Sequence, residues 1–552
     1  MTMRERPGNN IAAAAFAGSL GAYLAASALA LLLAAPAIAR VVSAAALAVA
    51  LAALAWLFTD PHVRAIARNT IAQAVRVRVA FVIMALYIIL VPSLPFLVKG
   101  DGTLRGLLHV VIGYSLILAG LLLGLLTLAL STTTLWTEFR DKQVYLLEAK
   151  PVRRWQVLLG KLAGILVINL ALLAFMAAVT WASVQYLVGR AERQARVIPE
   201  ANTLEKRRAE RQLREAREQV LTARRALLPE PPPASDRESF IERNLSLRVQ
   251  QLERSELVSP QILAIADPVA RRLSLEALAR RQLAEEFANL INAVPPLYTR
   301  IWRFAGLQAA RLPGTNVTLR FKYFSSDRRS EDPDHVRWEF GVPNRTKVYR
   351  RDDTFMPDEV HEIQVPSNAI GEDGVLEVRF TNLEPRRPTL VFSESDSIQV
   401  LIPVAGFVGN LSRGLGVILA KVLFIAALGI FCSTFLSFPV SPIVAVASLA
   451  LIFLVSSLRA DFERGFTLDE SRGESPTAAA VERATKAFTN ALHAILPPLP
   501  RYAPSEQVSS GEEVSLGLLL EATWLLAMVY GGALVLLGAR IFERREVALA
   551  AP

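Results

Sequence analysis

Long apolar runs separated by shorter polar stretches set the plan of this chain. A helix needs about 18 or more mostly apolar residues to cross roughly 30 Å of hydrocarbon. Such windows lie at 12–36, 41–58, 79–98, 107–132, 162–184, 417–438, 442–458 and 516–538. The pattern predicts an α-helical polytopic membrane protein of about eight spans. The first run follows Arg4 and Arg6 as a signal peptide would, but it is too long and a second run comes directly after it, so an uncleaved span is expected.

Between the fifth and sixth runs the periodicity changes twice. From Arg190 to Leu228 the chain is rich in Arg, Glu, Gln and Ala, and Ala209, Leu213, Ala216, Val220, Ala223 and Leu227 recur at alternating spacings of four and three, a heptad stripe. Pro229 and Pro231 to Pro233 end it. Further helices are expected at Ser239–Ser255, with Ile241, Leu245, Val249 and Leu252 on one face, and at Pro268–Ile291, with Leu273, Leu283, Phe287 and Leu290. The simplest arrangement is an antiparallel helical hairpin, a coiled coil; the other is a stripe that pairs with a second protomer or another protein.

From Asn316 to Val400 the period is two. Val317, Leu319, Phe321 and Tyr323, then Val336, Trp338 and Phe340, then Leu376, Val378 and Phe380 alternate with polar residues. Turn formers at Asp332-Pro333, Pro343-Asn344, Pro357-Asp358, Gly371–Gly374 and Pro385 separate them. This predicts a small antiparallel β-sandwich, an architecture that many functions share. After the seventh run, Val481, Ala484, Phe488, Leu492 and Ile495 predict an amphipathic helix on a membrane surface. The expected domains are a membrane part at 1–187, a helical hairpin at 188–295, a β-sandwich at 296–400 and a second membrane part at 401–552, with the amphipathic segment inside 459–514.

Composition sharpens the picture. With 53% hydrophobic residues, the chain is too apolar for a soluble enzyme, while 20% charged residues require the two classes to be segregated. The net charge of +10 lacks the aromatic interleaving of single-strand binders, so no nucleic-acid partner is expected. A cytoplasmic N-terminus gathers Arg4, Arg6, the 60–78 loop with Arg64, Arg68, Arg76 and Arg78, the segment Thr137–Lys161, and a tail with Arg540, Arg544 and Arg545 on the inner side. Only Arg40, Lys99 and Arg105 remain in the short outer connections, as the positive-inside rule requires. The protein is therefore expected in the cytoplasmic (inner) membrane with both termini inside and the large insertion outside.

Chemistry is sparse. Cys432, the one cysteine, lies in an apolar run, which excludes an internal disulfide and a Cys-based metal site. His62, His109, His335, His361 and His493 share no metal-binding spacing, and Leu159-Gly160-Lys161 lacks the other residues of a phosphate loop. Glu521 is the acidic residue placed well inside a span, so a carboxylate relay for proton coupling is missing. No catalytic residue, metal or cofactor is expected in this chain, and energy must come from a partner. The polar interruption at 137–161 reads as an elbow: a short amphipathic helix ending near Ala149, a break at Lys150-Pro151, and a new helix starting at Pro151.

At this elbow a resemblance emerges. Glu138, Leu146 and Leu147, then Pro151-Val152-Arg153-Arg154-Trp155 and Leu158-Leu159-Gly160-Lys161 resemble the permeases of type-2 ABC exporters. GIFCSTFLSFPVSP at Gly429–Pro442, ILPPLPRY at Ile495–Tyr502 and RIFERRE at Arg540–Glu546 are similar to later segments of that family, in the same order. The chain departs from the family in having Arg153 in place of the usual Ser, two extra early spans, and the large insertion. The resemblance implies a transmembrane permease subunit of an exporter or envelope-remodelling complex. An ABC ATPase subunit would carry the ATP, and a second permease copy or a related permease would pair with this one. It further implies that the elbow docks on the ATPase through polar contacts of Glu138, Arg140, Arg153, Arg154 and Lys161 and apolar anchors Tyr145, Leu146, Leu147 and Trp155, since aromatic and Arg residues are common hot spots. The other reading of Arg153, Arg154 and Trp155 is an interfacial anchor of a span. The competing function is a non-transporting membrane scaffold or adhesion protein that displays the hairpin and sandwich to an envelope partner.

Overall fold

The computed structural model describes residues 60–98, 102–140, 152–199, 203–254, 267–308, 316–326, 333–384, 389–392, 397–463, 485, 488–493 and 495–544. The apolar windows at 12–36 and 41–58 lie outside the described residues. The chain forms two compact units, one from Met1–Ala223 with Ala405–Pro552 and the other from Arg224–Val404.

In the first unit the described residues begin with α1 (Pro61–Val77). The stretch 60–78, expected as a loop, is thus a helix, and the reason is local: the Asp60 side chain accepts the His62 N–H at 2.8 Å and Pro61 follows in the first turn. Arg78, at φ 58°, turns the chain into α2 (Val79–Leu97). There follow α3 (Leu104–Arg140), α4 (Arg154–Val197) and α5 (Thr203–Glu215). Helix α4 begins at Arg154 rather than at Pro151. The expected helical stripe to Leu228 is broken: α5 stops at Glu215, a π-helical turn covers Ala216–Val220, and the rest is strand β1 (Thr222–Leu227). Ala223 is buried on that strand.

The second unit contains the expected pair of helices, α6 (Ala234–Arg254) and α7 (Pro268–Asn292), which share a small core of Val249, Leu252, Leu275 and Ala279. Ten further strands follow among the described residues: β2 (Ala293–Val294), β3 (Thr299–Phe304), β4 (Asn316–Phe321), β5 (Phe324–Ser325), β6 (Asp334–Phe340), β7 (Tyr349–Phe355), β8 (His361–Pro366), β9 (Leu376–Asn382), β10 (Leu390–Val391) and β11 (Ile398–Gly406). They make two four-stranded sheets, β1-β11-β4-β8 and β3-β9-β6-β7, and a small sheet β2-β10-β5. The pairings of β3 with β9 and of β6 with β7 and β9 are antiparallel, with Trp302 opposite Val378 and Trp338 opposite Phe380. The alternating residues named from sequence are the buried ones, and both large sheets contribute to one core. At its centre the rings of Phe321 and Phe380 lie 4.5 and 4.7 Å from that of Trp338. Asn344 and Asp358 take left-handed φ of 64° and 63° at the two turns where Pro-Asn and Pro-Asp had placed them.

The first unit then resumes with α8 (Phe407–Phe435), a tight connection through Leu436 to Pro439, α9 (Val440–Glu463), a short α10 (Pro504–Ser509) and α11 (Leu516–Arg544), whose middle, Thr523–Gly531, is π-helical. Six described helices are long and apolar enough to cross a membrane: α2, α3, α4, α8, α9 and α11. Most of the amphipathic segment expected around Val481–Ile495 lies outside the described residues. Polar pairs fix how the spans meet. The Tyr87 hydroxyl of α2 lies 2.8 Å from Thr180 Oγ1 of α4 and donates to Ser115 O of α3 at 3.1 Å, while Thr127 of α3 donates to Asn169 of α4 at 3.0 Å. In an apolar surround such bonds select one rotational setting of each helix.

Trp338 is wholly buried, so Trp338→Ala is expected to destabilise the second unit by about 3–5 kcal/mol. Limited proteolysis of the full-length protein across a denaturant series will read this as cleavage within 224–404 at lower denaturant than in the wild type.

Candidate functional site

The elbow is the place where most of the sequence-predicted residues fall, and its two ends are well described. Residues 141–151, with Tyr145, Leu146 and Leu147, lie outside the described residues. Glu138 and Lys161 were expected at a docking surface, but they face each other inside the first unit. Lys161 Nζ lies 2.7 Å from Glu138 Oε1, with side-chain exposures of 1% and 8%. The ammonium also donates to Thr134 O at 3.1 Å, whereas Glu138 Oε2 has no hydrogen-bond partner among the described residues. Removing both ions from water costs several kcal/mol each, which their attraction offsets only while they stay together. The pair thereby ties the last turn of α3 to the second turn of α4.

Three further contacts fasten neighbouring elements to the same point. Gln156 in the first turn of α4 accepts the Arg153 backbone N–H at 2.8 Å through Oε1 and donates through Nε2 to Asp60 Oδ2 at 2.8 Å. Asp60 thus caps α1 and receives α4 together. Arg154 donates to the Phe542 carbonyl near the end of α11, and its guanidinium lies 5.4 Å from the centre of the Phe542 ring. Gln73 of α1 donates to Thr137 of α3 at 3.0 Å.

Helix α1 reaches α4 closely because two glycines clear the way. A Cβ on Gly160 would stand 2.7 Å from Ile66 Cβ, and one on Gly164 would stand 2.7 Å from Thr70 Cβ. The spacing Gly160-x-x-x-Gly164 puts both on one face of α4, the arrangement that lets helix backbones approach in membranes.

The remaining elbow residues divide. Arg140 and Arg153 are exposed; Arg140 lies 4.6 Å over the Trp136 ring, which itself packs against Phe438 at the α8–α9 connection. Trp155 packs against a cluster of Leu135, Leu158, Ile165, Ala426, Ile430 and Phe542. The expected surface therefore shrinks to Arg140 and Arg153 among the described residues, while Glu138, Lys161, Arg154 and Trp155 hold the elbow's base.

Elsewhere, His335 and His361 lie on different sheets, on β6 and β8. Glu521 accepts from the Tyr502 hydroxyl at 3.0 Å and pairs with Arg501 at 3.3 Å. Among the described residues no cluster of three or more His, Cys, Asp or Glu is placed to hold a metal ion. Reading the sequence missed Asp60, Gln156 and the Gly160/Gly164 face. The Asp60-Pro61 start signal and the glycine spacing were available to find two of them; nothing local announces that Arg154 will meet Phe542.

Compared with known families, curated proteins and solved structures, the chain matches none.

If the buried pair closes the elbow, Lys161→Met or Glu138→Leu alone is expected to cost about 3–5 kcal/mol, and the double variant to recover most of that loss. Thermal unfolding of the purified protein in mild detergent measures the cycle; equal losses in the single and double variants would remove the pair from this role.

Proposed function

We propose that the chain is the transmembrane permease subunit of an ATP-driven ABC-type export or envelope-remodelling complex, coupled through the 137–161 elbow to a separate ATPase. In this reading the elbow and both chain ends lie in the cytoplasm, and the second unit lies on the far side of the membrane, open to an envelope partner. ATP is bound and hydrolysed by the partner subunit, and a second permease, identical or related, completes the assembly.

The observation that carries the reading is the fastening of four helices to one another at the elbow by three contacts. Glu138–Lys161 joins α3 to α4, Asp60–Gln156 brings in α1, and Arg154–Phe542 brings in the end of α11. A push on residues 139–153 would be delivered to all of them at once. An interfacial anchor needs only aromatic and basic residues at the right depth; buried ion pairing at the base of a loop is more than anchoring asks. The six apolar helices and the order of the family-like segments add support.

Arg140 and Arg153 are exposed among the described elbow residues, which supports them as the contact to a partner. Arg140→Glu with Arg153→Glu is expected to abolish co-purification of the ATPase and its stimulation by the permease while leaving membrane insertion intact. Undiminished coupling in the double variant would overturn the docking site, and the absence of any co-purifying ATPase with the wild-type protein would overturn the function.

A further inference from the structure

At one end of α2, α3 and α4 the first unit holds an apolar cavity of about 420 Å3. This volume falls inside the range of roughly 300–1,000 Å3 common to small-molecule sites. Its origin is legible in α2, which carries Pro92 and Pro95 within the helix. Neither proline has an N–H, so the carbonyls of Ile88 and Val91 lose their helical donors and the pyrrolidine rings crowd the preceding turn. Both prolines line the cavity, together with Phe96.

The polar side of the cavity comes from α4. Ser183, Tyr186 and Arg190 face it, and Ser183 is already committed, donating to Val179 O at 2.9 Å. Tyr186 and Arg190 stand one turn apart, and neither the hydroxyl nor the guanidinium has a partner among the described residues. Arg190 is also the first charged residue after the uncharged run Leu162–Gly189, which sets it at the depth of the headgroups if α4 crosses a bilayer. The cavity mouth is lipid-accessible by the same measure: Phe96 is 79% and Tyr186 62% exposed.

An apolar chamber whose described lining offers the Arg190 guanidinium and the Tyr186 hydroxyl at its rim matches one kind of molecule, an amphiphile with a negative head. We propose that this cavity is a binding site for one anionic phospholipid drawn from the surrounding membrane. One of its two acyl chains lies against Pro92, Pro95 and Phe96, its phosphate accepts from Arg190, and Tyr186 donates to the same headgroup. The assignment rests on the helices spanning a membrane and is independent of the permease reading.

The test uses the full-length protein, purified in mild detergent and examined by native mass spectrometry with added phosphatidylglycerol or phosphatidylcholine. One retained phosphatidylglycerol is expected, held more tightly than phosphatidylcholine. Arg190→Gln should weaken that retention by about tenfold or more, the weight of one charge-assisted hydrogen bond. Ser183→Leu and Ala182→Phe, which fill the cavity by different amounts, should displace the lipid, and Arg76→Gln, an exposed residue of α1, should leave it in place. Equal retention of the two lipids, retention unchanged by Arg190→Gln, equal loss in Arg76→Gln, or displacement by free glycerol phosphate at matching concentration would each overturn the assignment. A cavity-filling variant that fails to fold leaves the Arg190→Gln comparison to decide.

Discussion

A carboxylate and an ammonium held 2.7 Å apart, out of water, set the geometry at the base of the elbow. Neither Glu138 nor Lys161 can be hydrated without opening the junction of α3 and α4, and neither tolerates losing the other. That makes the ends of the intervening segment a fixed frame rather than two loose helix termini. The frame then gathers its neighbours: Asp60 caps α1 and bonds to Gln156, and the Phe542 carbonyl is taken by Arg154. Glycine at 160 and 164 removes the side chains that would hold α1 away.

The second unit is stabilised differently. Its core is aromatic, with Trp302, Phe321, Trp338, Phe380 and Phe392 in mutual ring contact, so large apolar areas are buried by few residues. Buried charge in that unit includes a matched cluster. Glu362 receives Arg224 at 3.1 Å and Arg320 at 3.1 Å, and Arg224 is almost fully buried. On the exposed face, Arg337 makes a two-pronged bond to Asp352 at 2.8 and 2.9 Å and holds that carboxyl below the usual carboxylate range.

What could be read from sequence was whatever depends on period and length. Val317, Leu319, Phe321, Val336, Trp338, Phe340, Leu376, Val378 and Phe380 alternate because one face of each strand meets a core, and they are buried as their spacing says. The long apolar helices are equally plain, because hydrocarbon demands length. The stripe from Ala209 to Leu227 misled at its end, where Ala223 and Leu227, four apart, share a face in a helix and in a strand alike. Helix α1 escaped notice because its Arg residues looked like a charged loop. Of the elbow, the charged residues were visible, but a sequence does not show that Glu138 and Lys161 face each other and not a partner. That depends on two helices turning the same faces inward, a property of packing.

Helix α4 runs unbroken from Arg154 to Val197, 44 residues. At about 1.5 Å per residue it is roughly 66 Å long, more than twice the thickness of a hydrocarbon layer. Such a rod works as a lever whose short arm is held at the elbow by Lys161. A tilt of about 5° about Lys161 would carry the far end, roughly 54 Å away, sideways by about 5 Å, close to one helical turn. Small displacements at the base are therefore geometrically enlarged at the far end, with no joint needed between.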